Sequence, residues 1–137
     1  MQGWRVGPFR EHLAEPLGCL LAILGGLYED SVKAVAARGG LTGYTSLLTD
    51  AFIYVPEDVV VPGVLDAGDL PDVAGALAPR PLLLQALVDG KNRLIPEAEF
   101  RPALAPAYEA YRNTSGRLEV RRAAQRPEVS AWLASHL

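Results

Sequence analysis

Cysteine occurs once in the 137 residues, at Cys19. No intramolecular disulfide can therefore form, and a reducing, cytoplasmic setting is expected. Histidine is nearly as scarce. His12 and His136 stand at opposite ends of the chain, and without a Cys or His cluster there is no zinc signature; no metal or cofactor is expected. An excess of basic residues is missing too. The formal net charge of −3 gives no electrostatic reason to expect a nucleic-acid partner. The densest basic group, Arg117, Arg121, Arg122 and Arg126, reads as a solvated strand edge rather than a phosphate-binding patch. Long apolar runs are absent as well. The segment "LGCLLAILGGLY" is apolar for only about a dozen residues, short of the ~20 that a membrane span needs, so no membrane partner is expected. The preceding "MQGWRVGPFREHLAEP" carries charges of both signs, and no small-residue cleavage site follows the apolar run, so it does not read as a signal peptide.

What remains is the composition of a folded globular protein. Half of the residues are hydrophobic and 21% are charged, which fits one domain over residues 1–137 with a single core. Apolar residues cover most of a helix from Pro16 to Tyr28; such a helix is either buried or covered by a second subunit. "SVKAVAARGG" predicts a short buried strand over Val32–Ala37, stopped by Gly39 and Gly40. The region from Leu41 to Leu70 is irregular, with a short helix expected near Thr45–Asp50 and then a long surface excursion that covers a site or makes an interface. Asp69 is placed to cap a helix that has Pro71 in its first turn and ends near Leu77. The near-continuous apolar run "PLLLQALV", Pro81–Val88, is what a strand covered on both faces requires. Glu97–Asn113 predicts a helix kinked by Pro102 and Pro106. "RLEVRR" predicts a last strand, and Pro127 opens a final helix with Val129, Trp132, Leu133, His136 and Leu137 on its stripe.

Helices alternating with strands predict an α/β fold: three layers, helix, sheet, helix, about a short and mostly parallel sheet. Only three strands are evident, which leaves two open edges. This order, carried by "YEDSVKAVAARGGLTGY", "FIYVPEDVVVPGVL", "GDLPDVAGALAPRPLLLQALVDG" and "RLEVRR…PEVSAWLASHL", resembles the C-terminal half of an α/β-hydrolase. The closest likeness is to the branch of acetyl xylan esterases and dienelactone-hydrolase-type enzymes. The resemblance spans roughly Pro16 to Leu137 and implies a truncated hydrolase-like domain acting on esters or similar activated bonds.

A full member of that family supplies a G-x-S-x-G nucleophile, then an acid, then a histidine. Here Gly18 matches the last glycine of the motif, which puts the nucleophile position near Pro16, a residue with no nucleophilic atom. Asp89 matches the acid position, just after its strand; the other reading is a turn aspartate ahead of Gly90. The family histidine is expected within "RRAAQRPEV", where none occurs, and His136 lies a helix later on an apolar stripe. His12 and Cys19 are seven residues apart, about 10 Å along one helix, so they form a Cys–His pair only if Pro16 breaks it. Otherwise Cys19 is a buried, inert thiol. The acidic stretch Glu57, Asp58, Asp66, Asp69 and Asp72 lacks a calcium-loop spacing and reads as loop solvation and helix capping. Tyr44, Phe52 and Tyr54 line a pocket or pack in a core or interface.

Two functions follow as expectations. One is an ester hydrolase with a non-standard site, in which Asp89 is the acid, His12 or His136 moves the proton, and Cys19 is a candidate nucleophile. Its partner is a small ester-like substrate. The other is a non-catalytic domain that associates with its own copies through the apolar helix and the open sheet edges.

Overall fold

The computed structural model describes residues 16–49, 51–114, 117–123 and 126–137. Helix α1 is Pro16–Tyr28, as the apolar run predicts. A proline at its first position costs nothing, because the first N–H groups of a helix have no partner within it. Strand β1 is Val35–Arg38, later than the expected 32–37, because the turn after α1 holds Val32 through its N–H to the Glu29 carbonyl at 3.1 Å. Strand β2 is Leu82–Gln85 and β3 is Leu118–Arg121. All three run parallel in the order β1-β2-β3, with Val35 beside Leu82 and Leu82 beside Leu118. The expected α/β class and parallel sheet are what the chain adopts.

Every side chain of β2 is buried, which is the demand on a middle strand covered from both sides. Its ladder nevertheless stops before the apolar run does. Ala86 has a φ of 51°, a left-handed conformation that turns the chain out of the pleat. Val88 then returns to make single bridges to Leu41 and Leu94.

Strand alternation sorts the side chains into two faces. Val35, Ala37, Leu82 and Leu84 share one face with Cys19 and Ile23 of α1 in a single apolar core. The same core takes in α2 (Leu70–Ala76), α3 (Phe100–Ala103) and α4 (Ala105–Ala110) through Ala74, Phe100 and Ala107. Burying each leucine of β2 contributes about 2 kcal/mol relative to leaving it exposed. Helix α5 (Arg126–His136) covers the opposite face. Its buried Trp132 donates Nε1–H to Glu119 Oε1 of β3 at 2.7 Å. The result is three layers, with four helices on one side of the sheet and one on the other among the described residues.

The helix expected over 97–113 is broken, as its prolines require. A 3₁₀ turn at Glu97–Glu99 leads into α3, and α3 and α4 are separated at Leu104, whose φ is −110° and ψ is 23°. Pro102 and Pro106 each lack the N–H that would continue the helical ladder. The expected helix near Thr45–Asp50 is a 3₁₀ turn, Tyr44–Leu47. Asp69 caps α2 as expected: its Oδ1 accepts from Leu70 N at 2.7 Å, and Asp72 Oδ2 accepts from Asp69 N at 2.8 Å. Among the described residues, no helix is long and apolar enough to cross a membrane.

Candidate functional site at the carboxyl end of the sheet

In open α/β sheets ligands bind beyond the carboxyl ends of the strands. At that end of this sheet lies a cleft of about 310 Å³, lined by Thr42, Thr45, Ser46, Asp89, Arg93 and Glu99, among others. Two segments build it. One is the turn after β1, and the other is the tight loop after β2, where Asp89 N–H donates to the Arg93 carbonyl and Asn92 N–H to the Asp89 carbonyl, both at 2.9 Å. Asn92 sits at φ 58°, a conformation that asparagine tolerates better than most residues. Gly90 presses against the turn: a Cβ there would lie 2.6 Å from the Ser46 carbonyl oxygen. Only glycine allows that approach.

Asp89 is fixed on four sides. Its Oδ1 accepts from the backbone N–H of Lys91 at 2.9 Å and of Arg93 at 3.0 Å. Its Oδ2 accepts from Arg93 Nε at 2.9 Å and Nη2 at 2.7 Å. Partial burial pushes the carboxyl up, but the bonds from Arg93 and Lys91 outweigh it and hold the group below its ordinary 3.8. Asp89 is therefore ionised at neutral pH. It suits the task of orienting and stabilising a cation; it does not suit proton donation.

A second carboxylate joins the front of the cleft to the helical layer. Asp69 accepts from Tyr44 N at 2.6 Å, from Thr45 N at 3.2 Å and from Thr45 Oγ1 at 2.9 Å, besides capping α2. Burial raises its pKa, while the amides of Tyr44, Leu70 and Thr45 and the Thr45 hydroxyl lower it further. The hydroxyls in the cleft are committed as donors. Thr42 Oγ1 donates to the Val88 carbonyl at 2.7 Å, Ser46 Oγ to the Gly43 carbonyl at 2.6 Å, and Thr49 Oγ1 to the Ser46 carbonyl at 3.0 Å. Each turns its lone pairs, rather than its proton, outward. None of these three has a described base beside it to make it a nucleophile, and the carboxylate that Thr45 Oγ1 meets is already engaged by three backbone amides.

The residues singled out from the sequence do not converge. Cys19 lies in the core beneath Gly40, 4% exposed. Burial pushes its thiol up to about 12, against the opposing effect of the Gly40 N–H. The crevice beside it, between α1 and β2, holds only about 20 Å³, room for about one water. This corrects the candidate nucleophile: Cys19 is a packing residue, because a thiolate is the reactive form and desolvation suppresses it. His12 lies outside the described residues. His136 stacks on Trp132 with ring centroids 4.3 Å apart and shares Nδ1 with the Trp132 carbonyl at 2.8 Å. It sits on α5, none of whose described residues lines the cleft. Tyr44 is buried and donates its hydroxyl to the Val59 carbonyl at 2.6 Å, whereas Phe52 and Tyr54 are exposed.

Arg93 and Thr45 were not anticipated. The signal for Arg93 was present in "DGKNR", where a carboxylate and a guanidinium four residues apart flank turn-forming residues. Thr45 meets Asp69 across 24 residues, and no local pattern encodes that distance. Among the described residues no group of histidine, cysteine, aspartate and glutamate is large enough to hold a metal ion. Compared with protein-family models, curated proteins and solved structures, the chain matches none.

Proposed function

We propose that this chain is the acid-bearing part of an α/β-hydrolase-like enzyme that cleaves esters or similar activated bonds, with Asp89 as its orienting acid. One observation carries the reading. An ionised, immobilised carboxylate stands four residues beyond the middle strand of a parallel sheet, next to the Val88 bridges and at the mouth of a polar cleft. A triad acid of the resembling family occupies that place and works by holding an imidazole and stabilising its cation. His12 is the candidate imidazole. For it to reach Oδ2, Arg93 must yield at least one of its two bonds there. A cytoplasmic setting goes with this reading, since the chain has no cysteine pair to oxidise.

The test is turnover of aryl acetates by the whole chain. Asp89→Asn and His12→Ala are each expected to lower kcat/KM by about 10²-fold or more, the scale of losing a general-base assembly. Unchanged turnover in Asp89→Asn overturns the reading.

The second reading, a non-catalytic domain that pairs with its own copies, is favoured by a different observation. The outer edges of β1 and β3 carry no further strand among the described residues, and Leu21 on α1 is 58% exposed. Open edges and apolar surface are the usual substrates of self-association. Sedimentation at micromolar concentration tests it, and a monomer across the range removes it.

A further inference from the structure

The excursion between β1 and α2 puts an unusual surface on a fixed frame. Leu48, Phe52, Ile53, Tyr54, Val60, Val61 and Leu65 are all exposed, Leu48 by 74% and Phe52 by 72%. They fall within a short stretch of sequence, a local excess of exposed apolar side chains of the kind that marks interaction surfaces. An open groove of about 210 Å³ runs between the Tyr44–Leu47 turn and the segment Val60–Asp66, floored by Leu47, Leu48, Val60, Val61 and Leu65. The backbone beneath it is tied down. Val59 is wholly buried, its carbonyl takes the Tyr44 hydroxyl, and Tyr54 N–H donates to the Gly90 carbonyl at 2.9 Å. A surface held this way loses little conformational freedom when it is covered.

Charge identifies the kind of chain that fits. From Gly39 to Pro79 the sequence has acidic residues at Asp50, Glu57, Asp58, Asp66, Asp69 and Asp72 and no lysine or arginine; all 13 basic residues lie elsewhere. Asp69 and Asp72 are used in capping α2, but Asp66 lines the groove, and Glu57 and Asp58 are exposed in the turn that leads into its Val60 side. Two such faces laid together across a two-fold axis would oppose like charges. A segment with apolar anchors and lysine or arginine flanks meets both features at once.

We infer that the groove between residues 44–48 and 60–66 is a docking site for a basic amphipathic segment of a partner protein, bound by its apolar face with its cationic flanks against Asp66 and the neighbouring Glu57 and Asp58. The experiment uses the whole chain and two synthetic helical peptides of about 18 residues with the same leucine face, one with lysine and one with glutamate on the polar face. Fluorescence anisotropy is expected to show the lysine peptide binding at least tenfold more tightly. Its affinity should fall several-fold as salt rises from about 50 to about 300 mM, because rim charges are screened. Leu48→Ser and Val61→Ser, both at exposed positions, should each weaken it about tenfold, and Asp58→Lys with Asp66→Lys should abolish the preference for lysine. Circular dichroism confirms that the variants stay folded. Equal affinity for the two peptides, absence of binding, or binding untouched by Val61→Ser overturns the inference. So does a dimer in sedimentation that Val61→Ser dissociates, since the face would then belong to a second copy.

Discussion

Removing the Asp89 carboxylate in two steps separates its two sets of bonds. In Asp89→Asn the retained Oδ1 can still accept from Lys91 N and Arg93 N, but the amide NH₂ now faces the guanidinium that Oδ2 had received. The Arg93 side chain is about half exposed, so the lost pair is worth at most ~1 kcal/mol. Asp89→Ala loses that pair and also strips two backbone N–H groups of their acceptor, at ~1 kcal/mol each. The expected losses are therefore about 1 kcal/mol for the asparagine variant and about 2–3 kcal/mol for the alanine variant, read from urea unfolding at neutral pH. The gap between wild type and Asp89→Asn should also depend on pH. Folding lowers the Asp89 pKa below 3.8, so in acid the unfolded chain binds the extra proton. The contribution is complete above the unfolded value and fades as pH falls through the native one. A gap that stays constant from about pH 7 to about pH 3 would refute the assignment of this stability to the charged carboxylate. Equal losses in the two variants would refute the backbone share.

Other sites yield shorter expectations. Gln85 is 1% exposed, and neither end of its carboxamide finds a hydrogen-bond partner among the described residues; Gln85→Met should raise stability by about 1–2 kcal/mol in urea unfolding, because it removes two unmet polar atoms at little change in volume. Cys19 should resist a disulfide reagent such as DTNB in the native state and react at once in denaturant; rapid native labelling would contradict its burial and raised pKa. The neighbouring glycines of α1 should respond with opposite signs in thermal melts. A Cβ at Gly25 meets nothing within 4 Å, so Gly25→Ala gains up to ~1 kcal/mol of helix propensity. At Gly26 it would fall on Val35 Cγ2 of β1, so Gly26→Ala loses ~1–3 kcal/mol to overpacking.

The sequence disclosed the layers because each depends on a local periodicity. The apolar run Pro16–Tyr28, the four buried residues of β2 and the Asp69 cap are all statements about neighbours in the chain, and each appears where neighbours put it. What escaped depends on distance or on backbone geometry. Nothing in "LLLQALV" announces that Ala86 turns left-handed and ends the ladder three residues early. The cleft is still less legible, since it joins Thr42–Ser46 to Asp89 and Arg93 across more than forty positions, through Thr42 Oγ1 on the Val88 carbonyl and Gly90 on the Ser46 carbonyl. Cys19 shows the reverse case. Its spacing from His12 left a Cys–His pair open only if Pro16 broke the helix, and the structure shows Cys19 buried under Gly40.

Asp89 serves the loop in the structure and serves a histidine in the proposal, and Arg93→Met distinguishes these two roles. The substitution keeps much of the side-chain volume and removes both donors to Oδ2, while the Arg93 backbone N–H still reaches Oδ1. Loss of the half-exposed pair with Asp89 should itself cost no more than ~1 kcal/mol. If Oδ2 is the atom that holds an imidazole, vacating it removes a competitor, and kcat/KM on aryl acetates should stay level or rise although the protein is less stable. If Asp89 acts only by closing the turn, turnover should follow stability downward in Arg93→Met as in Asp89→Asn. Opposite movement of the two measurements requires a carboxylate that does chemistry; parallel decline assigns Asp89 to the turn alone, and the ester-hydrolase proposal then loses its acid.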